Sequence, residues 1–296
     1  MDELIGNLEG CYIDATYGRG GHAEEIIKRL QGKGRLMVID RDKEAIDHAI
    51  SRYRDHKEVE VVNGTFSHMG EYLQEKGWPA VDGVIMDLGV SSPQLDNAER
   101  GFSFMQGGPL DMRMDTSRGM TAAEWLASAR EEEISLVLKE YGEERFHRRI
   151  SRAIVSQREI KPLVRTEDLV ELIKQTIPFQ DRHKHPATRT FQAVRIRINN
   201  ELEEIEKGLE AASDALAAGG RLVVISFHSL EDRIVKRFMK RLARGDDYPS
   251  RLPVTEEMLN RKLKIIRTKE KPDRDEVARN PRARSAVMRV AERLAA

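Results

Sequence analysis

The sequence predicts an α/β fold in which a parallel sheet, covered by helices, is interrupted by a helical insertion. Three observations lead to this prediction. Short apolar runs alternate with helical patterns over the first 90 residues, the alternation then stops, and strand–helix order returns at Arg221. We therefore divide the chain into a sheet domain of residues 1–103 and 198–296 and an inserted domain of residues 104–197.

The first part of the chain is predicted to alternate strands and helices. The strands are Cys11–Tyr17, Arg35–Asp40, Val59–Gly64 and Val81–Asp87, and the helices are His22–Gln31, Lys43–Tyr53 and Ser67–Lys76. Asp42 and Ser67 are suitable N-caps, because their side-chain oxygens can accept a hydrogen bond from a free backbone N–H of the helix that follows. Such alternation is typical of βαβ units.

The middle of the chain has a different pattern. Residues 91–119 are rich in Gly, Pro, Asp and Ser, which is typical of a long structured loop. Thr121–Glu124 is a capping-box pattern, and helical periodicity continues to about Ile177 with breaks at Pro162 and Pro178.

The C-terminal part returns to mixed structure. A helix over Asn199–Ala218 is predicted to precede strands at Arg221–Phe227, Leu263–Thr268 and Ser285–Val290. Ser229–Asp232 is predicted to cap a helix after the first of these strands.

Composition excludes several classes of protein. The chain is 40% apolar and 34% charged, which is typical of a globular protein with a substantial core. Its only cysteine, Cys11, excludes a disulfide framework and favours a reducing compartment. No apolar run approaches the roughly 18 residues of a membrane span, and the acidic N-terminus lacks a signal core. We expect a cytoplasmic protein without membrane attachment.

The charge is zero overall but unevenly distributed. Residues 1–100 sum to −7, whereas residues 141–200 sum to +6 and residues 261–296 to +7. Such asymmetry suggests a polyanionic partner that contacts part of the surface, although ordinary solvated faces explain it equally well.

The segment Arg182–Arg197 has five Lys or Arg, two His and no acid, which suits contacts to phosphates. Arg195 and Arg197 cannot share a helix face, so at least one of them is better explained structurally. His183 and His185 lack a third ligand at suitable spacing, and we predict no metal site.

A glycine turn follows the first predicted strand. Its glycines let the backbone approach a ligand, and Gly18, Gly20 and Ala23 fit the loose dinucleotide pattern. Asp40 ends the next strand, where a carboxylate can hydrogen-bond a ribose. The layout suits a dinucleotide or S-adenosylmethionine. The alternatives are a tight turn that needs positive φ and a helix cap at Asp40.

Two further strand ends carry candidate site residues. Phe66 follows the third strand and could pack on an adenine ring, or belong to the core. Asp87–Gln94 follows the fourth strand and offers a carboxylate, hydroxyls and an amide that could orient an exocyclic amine. Ser91 and Ser92 also suit a turn before Pro93. His228, after the fifth strand, could line the site or serve as a cap.

Several blocks closely resemble the bacterial family of small-subunit ribosomal RNA (cytosine-N4) methyltransferases, RsmH or MraW. The blocks are Asp14–His22, Asp87–Gln94, Arg100–Phe104, Gly108–Asp115, Tyr141–Glu144, His185–Ala193 with Arg195, Ser226–Arg233 and Asn280–Ser285. The resemblance implies a class I S-adenosylmethionine-dependent methyltransferase sheet with an inserted helical domain. It also implies methylation of N4 of a cytidine in the decoding region of 16S ribosomal RNA.

The same resemblance implies the site residues and the partner. The cofactor contacts it implies are Gly20, Gly21, His22, Asp40, Phe66, Asp87 and Gln94. The candidate RNA contacts are Arg113 and, from the basic segment described above, Lys184, Arg189 and Arg195. The partner is 16S ribosomal RNA within the small subunit. The sequence is compatible with a homodimer. Family members usually have a segment with a histidine and an apolar helix before the first strand, whereas about ten residues precede it here. A truncated chain or an alternative start would explain this.

The candidate catalytic carboxylates are Asp87, Asp111 and Asp115. Asp111 and Asp115 are four residues apart, so a helical turn would place both on one face. The alternative is that they cap turns or pair with Arg113 and Arg118.

Two other functions compete with methyl transfer. A dinucleotide-dependent oxidoreductase would use the glycine turn and Asp40, but it gives no role to the long loop of residues 87–115. A non-catalytic ribosome-assembly factor would keep the fold and bind RNA, but intact Asp87, Gln94 and Asp111 argue against it.

Overall fold

The computed structural model describes residues 1–178, 185–246, 248, 255 and 258–295. The chain forms two compact units, Met1–Gly89 with Leu202–Ala296, and Val90–Glu201. Residues 90–103 and 198–201 therefore group with the helical unit, whereas we had assigned them to the sheet domain. The physical reason lies in packing, because Val90, Leu95 and Phe102 join the apolar core of the helical unit.

The first unit contains a seven-stranded sheet. Its strands are β1 (Cys11–Asp14), β2 (Arg35–Asp40), β3 (Val59–Asn63), β4 (Val81–Asp87), β5 (Leu216–Ser226), β6 (Leu263–Glu270) and β7 (Val287–Arg293). The strand order is β3-β2-β1-β4-β5-β7-β6, and every pair is parallel except the two that involve β7. The chain changes direction across the sheet between β1 and β4, which is where open α/β sheets bind ligands. The predicted α/β class is confirmed.

Most helices in the described part of the chain fall at or near predicted segments. The helices are α1 (Gly21–Leu30), α2 (Lys43–Arg52), α3 (Met69–Glu75), α4 (Ser92–Asp96), α5 (Ala122–Ser128), α6 (Glu131–Gly142), α7 (His147–Arg158), α8 (Thr166–Thr176), α9 (Thr188–Asn199), α10 (Glu201–Ala215), α11 (Ser229–Arg244) and α12 (Arg274–Arg279). The helices α4, α9 and α12 were not predicted. In the part of the chain that the structure describes, no helix is long and apolar enough to cross a membrane.

The sheet has an apolar core on each face. Successive side chains of a strand point to opposite faces, so Tyr12 and Ile13 of β1 enter different cores. Ile13 packs in the cluster that includes Leu209 of α10, and Tyr12 packs in the cluster that includes Ile26 of α1. The two cores fix the sheet and therefore the positions of its strand ends.

The helix caps match the sequence only in part. Asp42 caps α2 by accepting a hydrogen bond from the backbone N–H of Glu44 at 3.0 Å, and Thr121 forms the capping box of α5, as predicted. The predicted cap Ser67 is wrong, because Ser67 lies in a 3-10 turn, Phe66–His68, before α3. The cap of α11 is His228 rather than Ser229, so the cap interpretation of this histidine is favoured.

The helical unit has its own core, which includes Trp125, Ile134, Ile150 and Phe191. Its long loop, residues 101–121, contains no helix and is held by polar side chains. Asn199 of α9 accepts a hydrogen bond from the N–H of Met114 and donates one to the carbonyl of Met112, both at 2.7 Å. The loop is therefore ordered by specific contacts, although it has no regular structure.

Candidate functional site

Three carboxylates end three neighbouring strands of the sheet. Asp14 ends β1, Asp40 ends β2 and Asp87 ends β4, and β2, β1 and β4 are adjacent in the sheet order. Carboxyl ends of parallel strands lie at the same sheet edge, so these acids share one region. Placing three negative charges there is unfavourable unless each is neutralised or hydrogen-bonded.

Asp40 is stabilised by backbone donors. Its Oδ2 accepts a hydrogen bond from the N–H of Gly18 at 2.8 Å, and its Oδ1 accepts one from the N–H of Asp42 at 2.9 Å. Burial nevertheless raises the pKa of Asp40 above its ordinary value, because these two bonds only partly offset desolvation. Asp40 thus fixes the glycine turn to the end of β2, and each carboxylate oxygen retains a lone pair for a ligand hydroxyl.

The glycine turn leads directly into α1. Gly20 has φ of 79°, and a side chain there would overlap the ring of Tyr17, since an added Cβ would lie 2.6 Å from Tyr17 Cε2. Among the residues that the structure describes, no side chain caps the N-terminus of α1, and a Cβ at Gly21 would meet no atom within 4 Å. Free backbone donors at an open helix N-terminus suit an anionic group.

Asp87 connects β4 to the glycine segment. Its backbone N–H donates to the hydroxyl of Thr16 at 2.7 Å, and its Oδ2 lies 3.3 Å from Nε2 of His22. Burial acts to lower the pKa of His22, but the hydrogen bond to Asp87 and the charges of Asp14 and Asp87 outweigh it and raise the pKa overall. The Oδ1 of Asp87 is buried and has no hydrogen-bond partner among the described residues.

Asp14 is the most deeply buried of the three acids. Its exposed fraction is 0%, its Oδ1 accepts the N–H of Thr16 at 3.2 Å, and its Oδ2 has no partner among the described residues. Burial, opposed by the charge of His22, raises the pKa of Asp14 from the ordinary 3.8 to about 6. Two buried carboxylate oxygens, one each from Asp14 and Asp87, are therefore left for a cationic or N–H-bearing ligand.

Phe66 lies at the end of β3 and is held against α10. An added Cβ at Gly208 of α10 would lie 2.2 Å from Phe66 Cδ2, so the ring rests directly on this glycine. Ser67, next in the chain, donates from its N–H and its hydroxyl to the carboxylate of Glu204, each at 3.0 Å. The ring is partly exposed, so it is compatible with both a core role and contact with a flat apolar ligand group.

Gln94 and two of the candidate carboxylates belong to the helical unit. Gln94 is buried and accepts the N–H of Ser91 at 2.9 Å in the capping box of α4. Asp111 forms a two-pronged ion pair with Arg113, with both N–O distances 2.8 Å, and Asp115 pairs with Arg118 at 2.6 Å. Burial acts to raise the pKa of Asp111, but Arg113 outweighs it and lowers the pKa.

The expectation of a helical turn through Asp111 and Asp115 is wrong. The segment is irregular, and Met112 between them has φ of 63°, outside the helical region. The observed ion pairs are those of the alternative interpretation, in which the two acids order the loop. A catalytic role for either stays a prediction.

The candidate RNA contacts differ in their surroundings. The guanidinium of Arg113 is engaged by Asp111 and by the carbonyl of Gly119 at 3.2 Å, and Arg195 forms a two-pronged pair with Glu201, both N–O distances being 2.9 Å. Arg189 on α9 is partly exposed and has no side-chain partner in the described ranges. Lys184 lies outside the described residues.

Of the two histidines considered as metal ligands, His183 lies outside the described residues. The ring of His185 stacks on Phe104 with 4.7 Å between ring centroids.

Sequence reasoning missed three residues at the sheet edge. The sequence pattern assigns Asp14 no role, although Asp14 ends a strand as Asp40 and Asp87 do. Glu204 and Gly208 could not be found in this way, because their partners Ser67 and Phe66 lie far away in the chain and no local pattern links the two segments.

Two kinds of comparison with known proteins give matches over most of the chain. The sequence profile of the MraW methylase family matches residues 1–294. The chain is similar to the structure of a candidate rRNA methylase from Clostridium thermocellum, with 12% identity, a TM-score of 0.45 and coverage of 97% of this chain and 89% of that one. It is also similar to an rRNA methylase from Streptococcus thermophilus, with 11% identity, a TM-score of 0.43 and coverage of 99% and 91%.

We expect Gly208→Ala to destabilise the protein by about 1–2 kcal/mol, because displacing Phe66 costs more than the gain in helix propensity. Urea unfolding measures this. Adding Phe66→Leu should restore much of the loss by removing the overlapping ring atoms. If the double variant loses as much stability as the two single variants added together, the ring of Phe66 does not rest on Gly208.

Asp14→Asn should stabilise the protein in a pH-dependent manner. Well below pH 3.8 the carboxyl is protonated in both folded and unfolded chains, so the variant gains nothing. Between the ordinary pKa of 3.8 and about 6, the unfolded chain ionises first and the wild type loses stability. Above pH 7 the advantage of the variant should reach up to about 3 kcal/mol.

Urea unfolding at pH 4.5 and pH 7.5 measures this difference. The exposed Asp55→Asn is the matched control and should show none. A constant difference at both pH values would contradict the raised pKa of Asp14.

Proposed function

Because this chain belongs to the MraW methylase family, we propose that it methylates N4 of a cytidine in the decoding region of 16S ribosomal RNA within the small ribosomal subunit, in the cytoplasm. The methyl donor in this proposal is S-adenosylmethionine. The observation that carries the proposal is the cluster of Asp14, Asp40 and Asp87 beside an uncapped glycine turn, in a chain that matches a methylase family over almost its whole length.

The residues at the sheet edge fit the parts of the proposed donor. Asp40 would accept hydrogen bonds from the ribose hydroxyls, and Phe66 would lie against the adenine. The free N–H groups of Gly21 and His22 suit the carboxylate of the methionine part, and the unpartnered Oδ2 of Asp14 suits its cations. When bound, S-adenosylmethionine supplies an electrophilic methyl group on a sulfonium.

The target amine needs an acceptor for its N–H groups. The lone pair of a cytosine amine is conjugated with the ring and is a poor nucleophile. An acceptor that holds the N–H groups helps to direct this lone pair and to take up developing positive charge. Asp87 suits the role best, since its Oδ1 is unpartnered among the described residues, whereas both oxygens of Asp111 face Arg113. In this proposal Asp111 and Asp115 order the loop.

Phosphate contacts come from the helical unit in this proposal. Arg189 is the strongest candidate of the described residues, and Lys184 is included on the basis of its sequence context. Arg113 and Arg195 already pair with Asp111 and Glu201, so they are weaker candidates for contact with RNA. A homodimer is compatible with this scheme but is not required by it.

Small-subunit RNA provides the direct test. Immature subunits incubated with the protein and S-adenosylmethionine should gain one methyl group on N4 of a cytidine, as measured by mass spectrometry of nuclease fragments. Methylation of a different base, or of carbon rather than nitrogen, would refute the proposed target while leaving methyl transfer intact. Absence of any transfer would favour an assembly factor.

Asp40→Asn should weaken S-adenosylmethionine binding by tenfold to a hundredfold, about 1–3 kcal/mol, because a buried ribose partner is lost. Calorimetry gives the affinity. The change to Asn preserves the size of the side chain, and Asp47→Asn on the exposed face of α2 is the control. Unchanged affinity in Asp40→Asn would remove this residue from the ribose site.

Asp87→Asn and Asp111→Asn distinguish the two candidate acceptors. At saturating S-adenosylmethionine, Asp87→Asn should slow single-turnover methylation by about a hundredfold, roughly 2.7 kcal/mol of barrier. Asp111→Asn should act mainly by loosening the loop, with a smaller loss in rate and weaker RNA binding. The opposite ranking would assign the acceptor role to Asp111.

A further inference from the structure

The carboxyl of Asp14 is placed where an ordinary structural acid would be costly. It is fully buried, accepts a single backbone hydrogen bond, and leaves Oδ2 unpartnered among the described residues. A buried acceptor without a donor destabilises the folded chain. This unfavourable group lies at the end of β1, between the acids that end β2 and β4.

The charged and titratable groups around Asp14 come from each neighbouring element. Asp40 on β2 and Asp87 on β4 oppose its ionisation, whereas His22 on α1 favours it. Burial raises the pKa of Tyr17 and of Tyr53, and the negative charge of Asp14 raises both further. Both phenols therefore stay neutral. Within this group of residues, one imidazole, that of His22, can offset the negative charge of three carboxylates.

We propose that Asp14 is a proton-release group: in mildly acidic solution it carries a proton in the ligand-free protein and loses it when the cationic part of S-adenosylmethionine enters the site. This proposal rests on the proposed cofactor. The O–H bond of the carboxyl breaks, the proton passes to solvent, and the carboxylate remains to offset the ligand cation. Asp14 acts here through its charge, as a positioning residue that need not touch the ligand.

The coupling has a defined sign and a defined ligand preference. Binding selects the ionised carboxyl, so affinity should fall by up to about tenfold per pH unit below pH 6 and level off above it. S-adenosylmethionine carries a sulfonium and an ammonium, the product S-adenosylhomocysteine carries only the ammonium, and methylthioadenosine carries neither. Proton release should decrease in that order.

Calorimetry can count the protons. Binding heats measured at pH 5.5 in buffers of different ionisation enthalpy should give a release of about half to one proton for S-adenosylmethionine with the wild type. Methylthioadenosine should give none, and Asp14→Asn should abolish release with every ligand. At pH 7.5 the contribution of Asp14 should vanish, because the carboxyl is already ionised.

His22 is the other group that could supply the proton. His22→Gln is therefore the matched variant. Removing its positive charge raises the proton affinity of Asp14, so release at pH 5.5 should persist and extend to higher pH. Loss of release in His22→Gln, with retention in Asp14→Asn, would overturn the proposal and assign the proton to His22.

The outcomes separate this proposal from the proposed function. If no adenosyl ligand binds the wild type at either pH, the proposed cofactor is wrong. If S-adenosylmethionine binds and Asp14→Asn releases as many protons as the wild type, the cofactor stands and the role of Asp14 is refuted. Circular dichroism of each variant at pH 5.5 checks that it is folded before binding is compared.

Discussion

The convergence of three carboxylates at the ends of β2, β1 and β4 is the constraint that shapes this sheet edge. Each acid is accommodated differently. Asp40 receives two backbone N–H groups, Asp87 lies beside His22, and Asp14 is buried with a raised pKa. The N–H of Gly18 in the glycine turn, the backbone N–H of Thr16 and His22 at the start of α1 lie where these acids require donors or a positive partner. Negative charge at this edge thus determines both local backbone structure and the kind of ligand that fits.

The sequence predicted the parts of the fold that depend on local patterns. The bounds of β2 and β4 agree with the predicted strands, because both are apolar runs that end in an acid. Asp40 and Asp87 could be found for the same reason. The cap at Asp42 was also predictable, since its partner Glu44 is two residues away. Family resemblance added what patterns cannot supply, namely the methylase family itself.

The errors arise where a distant residue decides the outcome. Serine is a common helix cap, but the N–H and the hydroxyl of Ser67 both donate to Glu204, and α3 starts later, at Met69. Nothing in the sequence around Gly208 indicates that a glycine is required there. The requirement comes from the ring of Phe66, which packs directly on this residue. Likewise, Asp111 and Asp115 have helical spacing, but Arg113, Arg118 and Asn199 stabilise an irregular loop instead. Spacing alone cannot report such contacts.

The pairing of β4 with β5 joins segments that lie on either side of the helical unit. During synthesis the first four strands leave the ribosome long before β5 exists, so the edge of β4 stays open while residues 90–201 are translated. An open edge strand can pair with other chains. Closing so long a loop also costs entropy and slows folding. Because the insertion has its own apolar core, it can collapse first and shorten the effective loop before the central strands meet.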